Sequence, residues 1–167
     1  MSGVRRALLA LLLPLLLGGP ALGQGPGLRG FNSNAPVDVA ADRIEVQDRA
    51  NRAIFSGNVE VRQGDMRMSA ARLTVVYAGG QSVQIQRLEA SGGVILRTPS
   101  ETARSRFGIY DVPRRIVTMI GGVTLDQGAN HVQGARLVLD LDSHRAVMDG
   151  GGGGRVTGRF TVPRRGN

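Results

Sequence analysis

"FSGNVEVRQG" runs from Phe55 to Gly64, and "MIGGVTLDQG" runs from Met119 to Gly128. Both continue, after six further residues, with Ala-Arg-Leu, at Ala71 and again at Ala135. At a constant offset of 64 residues, Gly57, Val59, Gln63, Gly64, Ala71, Arg72 and Leu73 meet Gly121, Val123, Gln127, Gly128, Ala135, Arg136 and Leu137. Polarity alternates inside each copy. In the first, Val59 and Val61 stand against Glu60 and Arg62, Met66 and Met68 against Arg67 and Ser69, and Leu73, Val75 and Tyr77 against Arg72 and Thr74. A period of two places one set on each face of a strand, so each copy predicts strand, glycine bulge, strand, turn, strand. The second copy repeats this through Val123, Leu125, Leu137, Leu139 and Leu141.

The alternation extends outward to Ile44 and Val46, to Val94 and Leu96, and to Ile116–Ile120. Breakers recur at Gly57-Asn58, Gln63-Gly64-Asp65, Gly79-Gly80, Gly92-Gly93, Gly121-Gly122 and Gln127-Gly128. A weaker third echo, "EASGGVILRTPSETAR", begins at Glu89. Short strands with glycine-bearing turns predict an all-β antiparallel domain. An internal period adds that each unit buries its apolar face only by stacking on the next, which leaves open edge strands at both ends of the stack. Arg97–Ser105, with Pro99 and several hydroxyl residues, reads as a loop or one short helical turn, and no other helix is expected after residue 23.

The N-terminus carries a separate message. Arg5 and Arg6 precede the apolar run Ala7–Leu17, followed by Gly18, Gly19, Pro20 and the small-residue pattern Ala21-Leu22-Gly23. This is the layout of a cleaved secretory signal peptide over residues 1–23, its apolar run being too short to span a bilayer. Residues 24–36, rich in Gly, Pro and Asn, read as a flexible leader, 37–162 as one β domain, and 163–167 as a basic tail. All 21 basic residues are arginines, and cysteine is absent. That excludes lysine chemistry, disulfide staples, thiol nucleophiles and thiolate metal sites, and export without disulfides points to a bacterial periplasm.

Catalytic constellations are missing from the pattern. His131 and His144 read as turn residues, and Asp140, Asp142 and His144 as a solvated strand face opposite Leu139 and Leu141. No Gly-x-Ser-x-Gly elbow occurs, and Gly150–Gly154 lacks the Lys and Ser/Thr of a phosphate loop, so it reads as a flexible connection and the least ordered part of the domain. No enzyme activity, metal or cofactor is expected. The formal charge of +8 with only 4% aromatic residues argues against a nucleic-acid platform and leaves anionic lipid, a membrane-adjacent partner or simply a well-solubilised surface. The apolar face is mainly Val, Leu, Ile and Met, with Phe55, Phe107 and Phe160 expected in the interior.

The stretch "ADRIEVQDRANRAIFSGNVEVRQGDMRMSAARLTVVY", Ala41 to Tyr77, resembles the OstA-like (LptA) family of lipopolysaccharide transport. Its pattern here is Ala-Asp-Arg-Ile, then Phe-Ser-Gly-Asn-Val with Gln-Gly, then Ala-Arg-Leu-x-Val-x-Tyr; the likeness runs on more loosely to Val162. The resemblance implies a twisted, slightly open antiparallel β-jellyroll. It also implies a periplasmic bridge that passes lipopolysaccharide from the inner to the outer membrane in an aliphatic groove, with an inner-membrane ATPase supplying the energy. Copies would pair end to end by strand addition, and with OstA-like domains of inner-membrane LptC-type and outer-membrane LptD-type partners. Strand alternation then nominates Ile44, Val46, Phe55, Val59, Val61, Met66, Met68, Leu73, Val75, Val94, Leu96, Val123, Leu125, Leu137 and Leu139 as the groove lining. The competing readings are an LptC-like anchored component, the N-terminal domain of an outer-membrane translocon, a filament-forming β protein that binds no lipid, and an enzyme of envelope glycans.

Overall fold

A computed structural model describes residues 34–80 and 82–162. The expected signal peptide, most of the leader and the basic tail lie outside these residues. Ten strands form one antiparallel sheet: β1 (Asp38–Ala40), β2 (Arg43–Gln47), β3 (Arg52–Gln63), β4 (Met66–Ala78), β5 (Gln84–Arg97), β6 (Thr102–Asp111), β7 (Ile116–Gln127), β8 (Asn130–Asp140), β9 (Arg145–Asp149) and β10 (Thr157–Arg159). Successive long strands β3 to β8 pair as neighbours; β1 and β2 share one edge of β3, and β9 and β10 share the far edge of β8. Among the described residues those two edges do not pair with each other, so the sheet stays open. The one helical feature in the described residues is a single 3-10 turn, Asp48–Ala50.

A line of bulges crosses every long strand. Register shifts fall between Ser56 and Val59, Ser69 and Arg72, Ser91 and Val94, Arg104 and Phe107, and Ile120 and Val123. The paired positive-φ residues Gly57-Asn58, Gly92-Gly93 and Gly121-Gly122 supply the extra residue on β3, β5 and β7. At Gly92 the requirement is steric as well, because a Cβ there would come within 2.6 Å of the Ala71 Cβ. The line reaches both edges. Asp42 donates its backbone N–H to the Gly57 carbonyl between β1 and β2, and the Gly150–Gly154 turn separates β9 from β10 beside Ala135.

Bulges bend strands and increase twist, so the aligned line creases the sheet into two layers. The first layer holds β2, β9 and residues 52–56, 72–78, 84–91, 107–111, 116–120 and 136–140. The second holds β1, β10 and residues 59–63, 66–70, 94–97, 102–105, 123–127 and 130–134. Their inner faces enclose the core, and the expected all-β, slightly open jellyroll is the fold observed. Two expectations fail. Thr102–Ser105 is not loop but the start of β6: its inward residues, Ala103 and Ser105, are too small to register as an apolar alternation, and the turn before it is closed by Thr98 and Glu101. Phe107 and Phe160 are not interior residues, being 50% and 64% exposed. Gly108 takes the inward seat beside Phe107 because Val94 fills that space, and a Cβ at 108 would meet its Cγ1 at 3.2 Å.

Candidate functional site: the groove between the layers

Directly paired residues share a face, so the registers define the inner surface as rows. In the first layer one row runs Ile44, Phe55, Leu73, Ala90, Gly108, Met119, Leu137, Met148, and its neighbour runs Val46, Ala53, Val75, Leu88, Tyr110, Val117, Leu139, Ala146. In the second layer the facing row runs Val39, Val61, Met68, Leu96, Ala103, Leu125, Val132, Gly158. These rows cross the whole sheet. Each fully buried Leu, Val or Met contributes about 1.5–3 kcal/mol relative to exposure, so the rows hold the layers together as well as line the space between them.

Burial along the rows is uneven. Val59, Val61, Met66, Met68, Leu73, Val75, Val94, Leu96, Val123, Leu137 and Leu139 are buried, while Phe55 and Leu125 are half-buried. Ile44 and Val46 stand on the same inward rows at the β2 edge, where they remain exposed. In the middle the layers touch, and the space left between Val61, Met66, Leu96, Tyr110 and Met119 is about 10 Å³, the size of one water probe. At the β8–β9 edge the layers part into an apolar cleft of about 440 Å³, lined by Leu125, Val132, Leu137, Ala146 and Met148 and rimmed by His144 and Arg145.

Polar contacts fasten the closed part. The Tyr110 hydroxyl, in the first layer, donates to Gln63 Oε1 of the second at 3.1 Å, and Gln63 Nε2 donates to the Ala35 carbonyl at 2.9 Å. Arg115 Nη2 donates to Asn34 Oδ1 at 2.6 Å while Nη1 holds Asp142 at 2.9 Å. The segment ahead of β1 therefore straps the second layer to the turns of the first. At the second copy's end Gln127 Nε2 donates to Glu101 Oε1 at 3.1 Å, and burial pushes the Glu101 carboxyl above its usual pKa. No buried side-chain polar atom among the described residues lacks a partner.

The residues singled out as possible catalytic or metal groups do not converge inside the groove. His131 sits in strand β8 rather than in a turn, with Nδ1 against Asp126 at 2.5 Å. That hydrogen bond, seconded by Arg104 at 2.6 Å, holds the Asp126 carboxyl below its usual pKa. Asp140 closes β8 by accepting the N–H groups of Asp142 and Ser143, and His144 lies in the turn beyond. No cluster of three His, Cys, Asp or Glu suited to a metal stands among the described residues. The inward residues that strand alternation missed include Val39, Ala53, Leu88, Ala90, Ala103, Tyr110, Val117, Met119, Val132, Ala146 and Met148. Val132 was reachable, since it matches Met68 across the repeat; Leu88 and Tyr110 were hidden by alternations in which alanine or glycine takes the next inward seat.

The chain is similar to known proteins over most of its length. The family model described as LptA/(LptD N-terminal domain) LPS transport protein matches residues 38–145. An uncharacterized protein of Rhizobium meliloti (strain 1021) is 33% identical over 130 residues, which cover 74% of this chain and 70% of that one. The lipopolysaccharide export system protein LptH of Pseudomonas aeruginosa is 25% identical over 160 residues, 91% of this chain and 89% of LptH. The crystal structure of LptH, described as the LptA homologous periplasmic component of the conserved lipopolysaccharide transport device, superposes with a TM-score of 0.68 at 17% identity, over 78% of this chain and 98% of that one.

Proposed function

Because the chain belongs to the LptA/(LptD N-terminal domain) LPS transport protein family, we propose that it is a periplasmic carrier that holds the acyl chains of lipopolysaccharide between its two layers and passes them along a bridge of paired copies toward the outer membrane. The observation that carries the reading is the set of aliphatic rows that cross every strand and open at both edges. Acyl chains need no catalytic group to bind such a surface, since each methylene taken from water contributes ~0.8 kcal/mol. The apolar cleft at the β9 edge is the point of entry. Deeper loading requires the layers to part at the Tyr110–Gln63 contact, because the closed middle has room for little more than one water.

The fold supports end-to-end pairing with a specific register. The repeat extends beyond the sequence match: β6 corresponds to β1 and β2 at the same offset, and the pair β9/β10 corresponds to β5 through their shared partners on β8 and β4. The β5–β6 ladder is thus a junction between the last strand of one copy and the first of the next. Among the described residues the unpaired edges are the same two kinds of strand. Pairing them between molecules in that register sets Met148 against Ile44, Ala146 against Val46 and Arg159 against Asp38, which buries the exposed edge residues and continues both inner rows. OstA-like domains of LptC-type and LptD-type partners would dock on the same edges.

Photo-crosslinking residues placed at Val61 and Leu125, with outward Arg62 as control, are expected to form lipopolysaccharide adducts at the two inward sites alone. Absence of inward adducts from folded protein would leave a filament-forming role without lipid. In this cysteine-free chain, Ile44→Cys with Met148→Cys is expected to give a ladder of disulfide-linked oligomers. A variant that stays monomeric under oxidation rejects the register.

A further inference from the structure

The two layers differ on their outer faces. On the second layer the charges are largely paired, Arg62 with Glu60 at 2.9 Å and Asp126 with Arg104 and His131. On the first layer one outward row runs Arg43, Ser56, Arg72, Ser91, Phe107, Ile120, Arg136, Asp149. Phe107 and Ile120, directly paired at its centre, are 50% and 40% exposed. Ile109, Val138 and Val147 continue the apolar surface in the adjoining row, and a depression of about 460 Å³ lies beside Phe107 and Arg72.

Cations surround this patch without carboxylate partners. Arg72, Arg106 and Arg136 take part in no ion pair among the described residues. Arg106 lies across the crease over Gly121, where a Cβ would come 2.8 Å from its Nε. Glu89, paired with Ile109 and lining the same depression, is held by Arg87 at 2.7 Å, and Asp149, directly paired with Arg136 on the edge strand, makes no ion pair among the described residues. Arg72 and Arg136 are the arginines of the twice-written Ala-Arg-Leu, four strand spacings or about 19 Å apart.

We propose that this outer face rests on a bilayer surface containing anionic lipid, with Phe107 and Ile120 entering the interface and Arg72, Arg106 and Arg136 pairing with lipid phosphates. An aromatic and a branched apolar side chain within a collar of unpaired guanidiniums combine the two attractions that hold a protein at such an interface, apolar burial and charge. Guanidinium also matches phosphate geometry in a bidentate manner. The chain from Gln24 onward, with the full +8 reduced to +6 by loss of Arg5 and Arg6, carries a net charge that acts in the same direction at longer range. The face is separate from the groove, so surface docking and acyl loading can occur together.

The test is co-sedimentation of the chain from Gln24 onward, which contains the whole sheet, with vesicles of phosphatidylcholine alone or mixed in equal parts with phosphatidylglycerol. Binding is expected to the mixed vesicles only, and to fall about tenfold or more in Phe107→Thr/Ile120→Thr and again in Arg72→Gln/Arg136→Gln. Leu125→Ser, inside the groove, is expected to leave vesicle binding unchanged. Failure of the parent to bind, or retained binding by both outer-face variants, overturns the proposal. So does loss of binding in Leu125→Ser, which would mean that the vesicle lipid enters the groove. A change in sedimentation mass in Phe107→Thr/Ile120→Thr with vesicle binding intact would make the face a contact between copies and overturn it equally.

Discussion

Ile44 and Gly108 hold the same seat in the two copies of the repeat, as do Val46 and Tyr110, yet Ile44 and Val46 are 55% and 57% exposed while Gly108 and Tyr110 are buried. The second-layer row shows the opposite bias: Val61 and Met68 of the first copy are buried, and their counterparts Leu125 and Val132 are only half-buried at the open cleft. Exposure in this molecule thus follows position in the stack more than side-chain character. Among the described residues the first copy has no strand beyond β1 and β2, and the second none beyond β9 and β10. Among the described residues only the first is crossed by a strap, through Gln63 and Ala35. Two units built on one plan therefore end differently, one with its layers strapped together behind an exposed edge strand and the other parted at the cleft.

The comparison is sharpened first where the copies should agree. Leu73 and Leu137 are both 0% exposed at the same seat. Leu73→Ala and Leu137→Ala are each expected to cost about 2–5 kcal/mol in denaturant unfolding, through lost transfer energy plus a cavity. A near-neutral result for either would break the equivalence of the copies. The next pair should disagree. Gln63→Leu strips a partner from the buried Tyr110 hydroxyl and from the Ala35 carbonyl, and is expected to cost about 1–3 kcal/mol and to speed proteolysis ahead of β1. Gln127→Leu, at a half-buried residue with one such contact, is expected to cost about 0.5–1.5 kcal/mol. Equal losses would mean that the strap adds nothing to the seal.

Much of this was legible in the chain before folding. The repeat and its glycines fix β3, β4, β7 and β8 together with their bulges, and the alternation of Val59 with Val61 and of Leu137 with Leu139 identifies the inward face. Three things were not legible. Edge position is set by what pairs beyond a strand, so Ile44 and Val46 read like any inward pair. At β6 the alternation points outward: Phe107 and Ile109 are the apolar members, while Gly108 and Ala103 occupy the core. Finally, the closeness of the layers depends on contacts between distant residues, such as Tyr110 with Gln63, which no local pattern contains.

The smallest effect distinguishes how the two copies close their ends. In the first copy Gln63 meets a neutral hydroxyl and a backbone carbonyl; in the second, Gln127 meets the carboxyl of Glu101, which is buried. Burial disfavours the charged form, so the folded pKa of Glu101 lies above its ordinary 4.5. The folded state then binds the proton more tightly than the unfolded chain. Its contribution to stability is present below the ordinary value and is lost as pH rises through the folded pKa, leaving a penalty at neutral pH. Glu101→Gln retains a carbonyl to accept from Gln127 and removes the charge. It is expected to stabilise the protein at pH 7 by on the order of 1 kcal/mol or less, with the gain vanishing when melts are repeated below pH 4.5. A gain that persists unchanged in acid would assign the effect to packing rather than to charge, and the ends of the two copies would then differ only in the strap that crosses one of them.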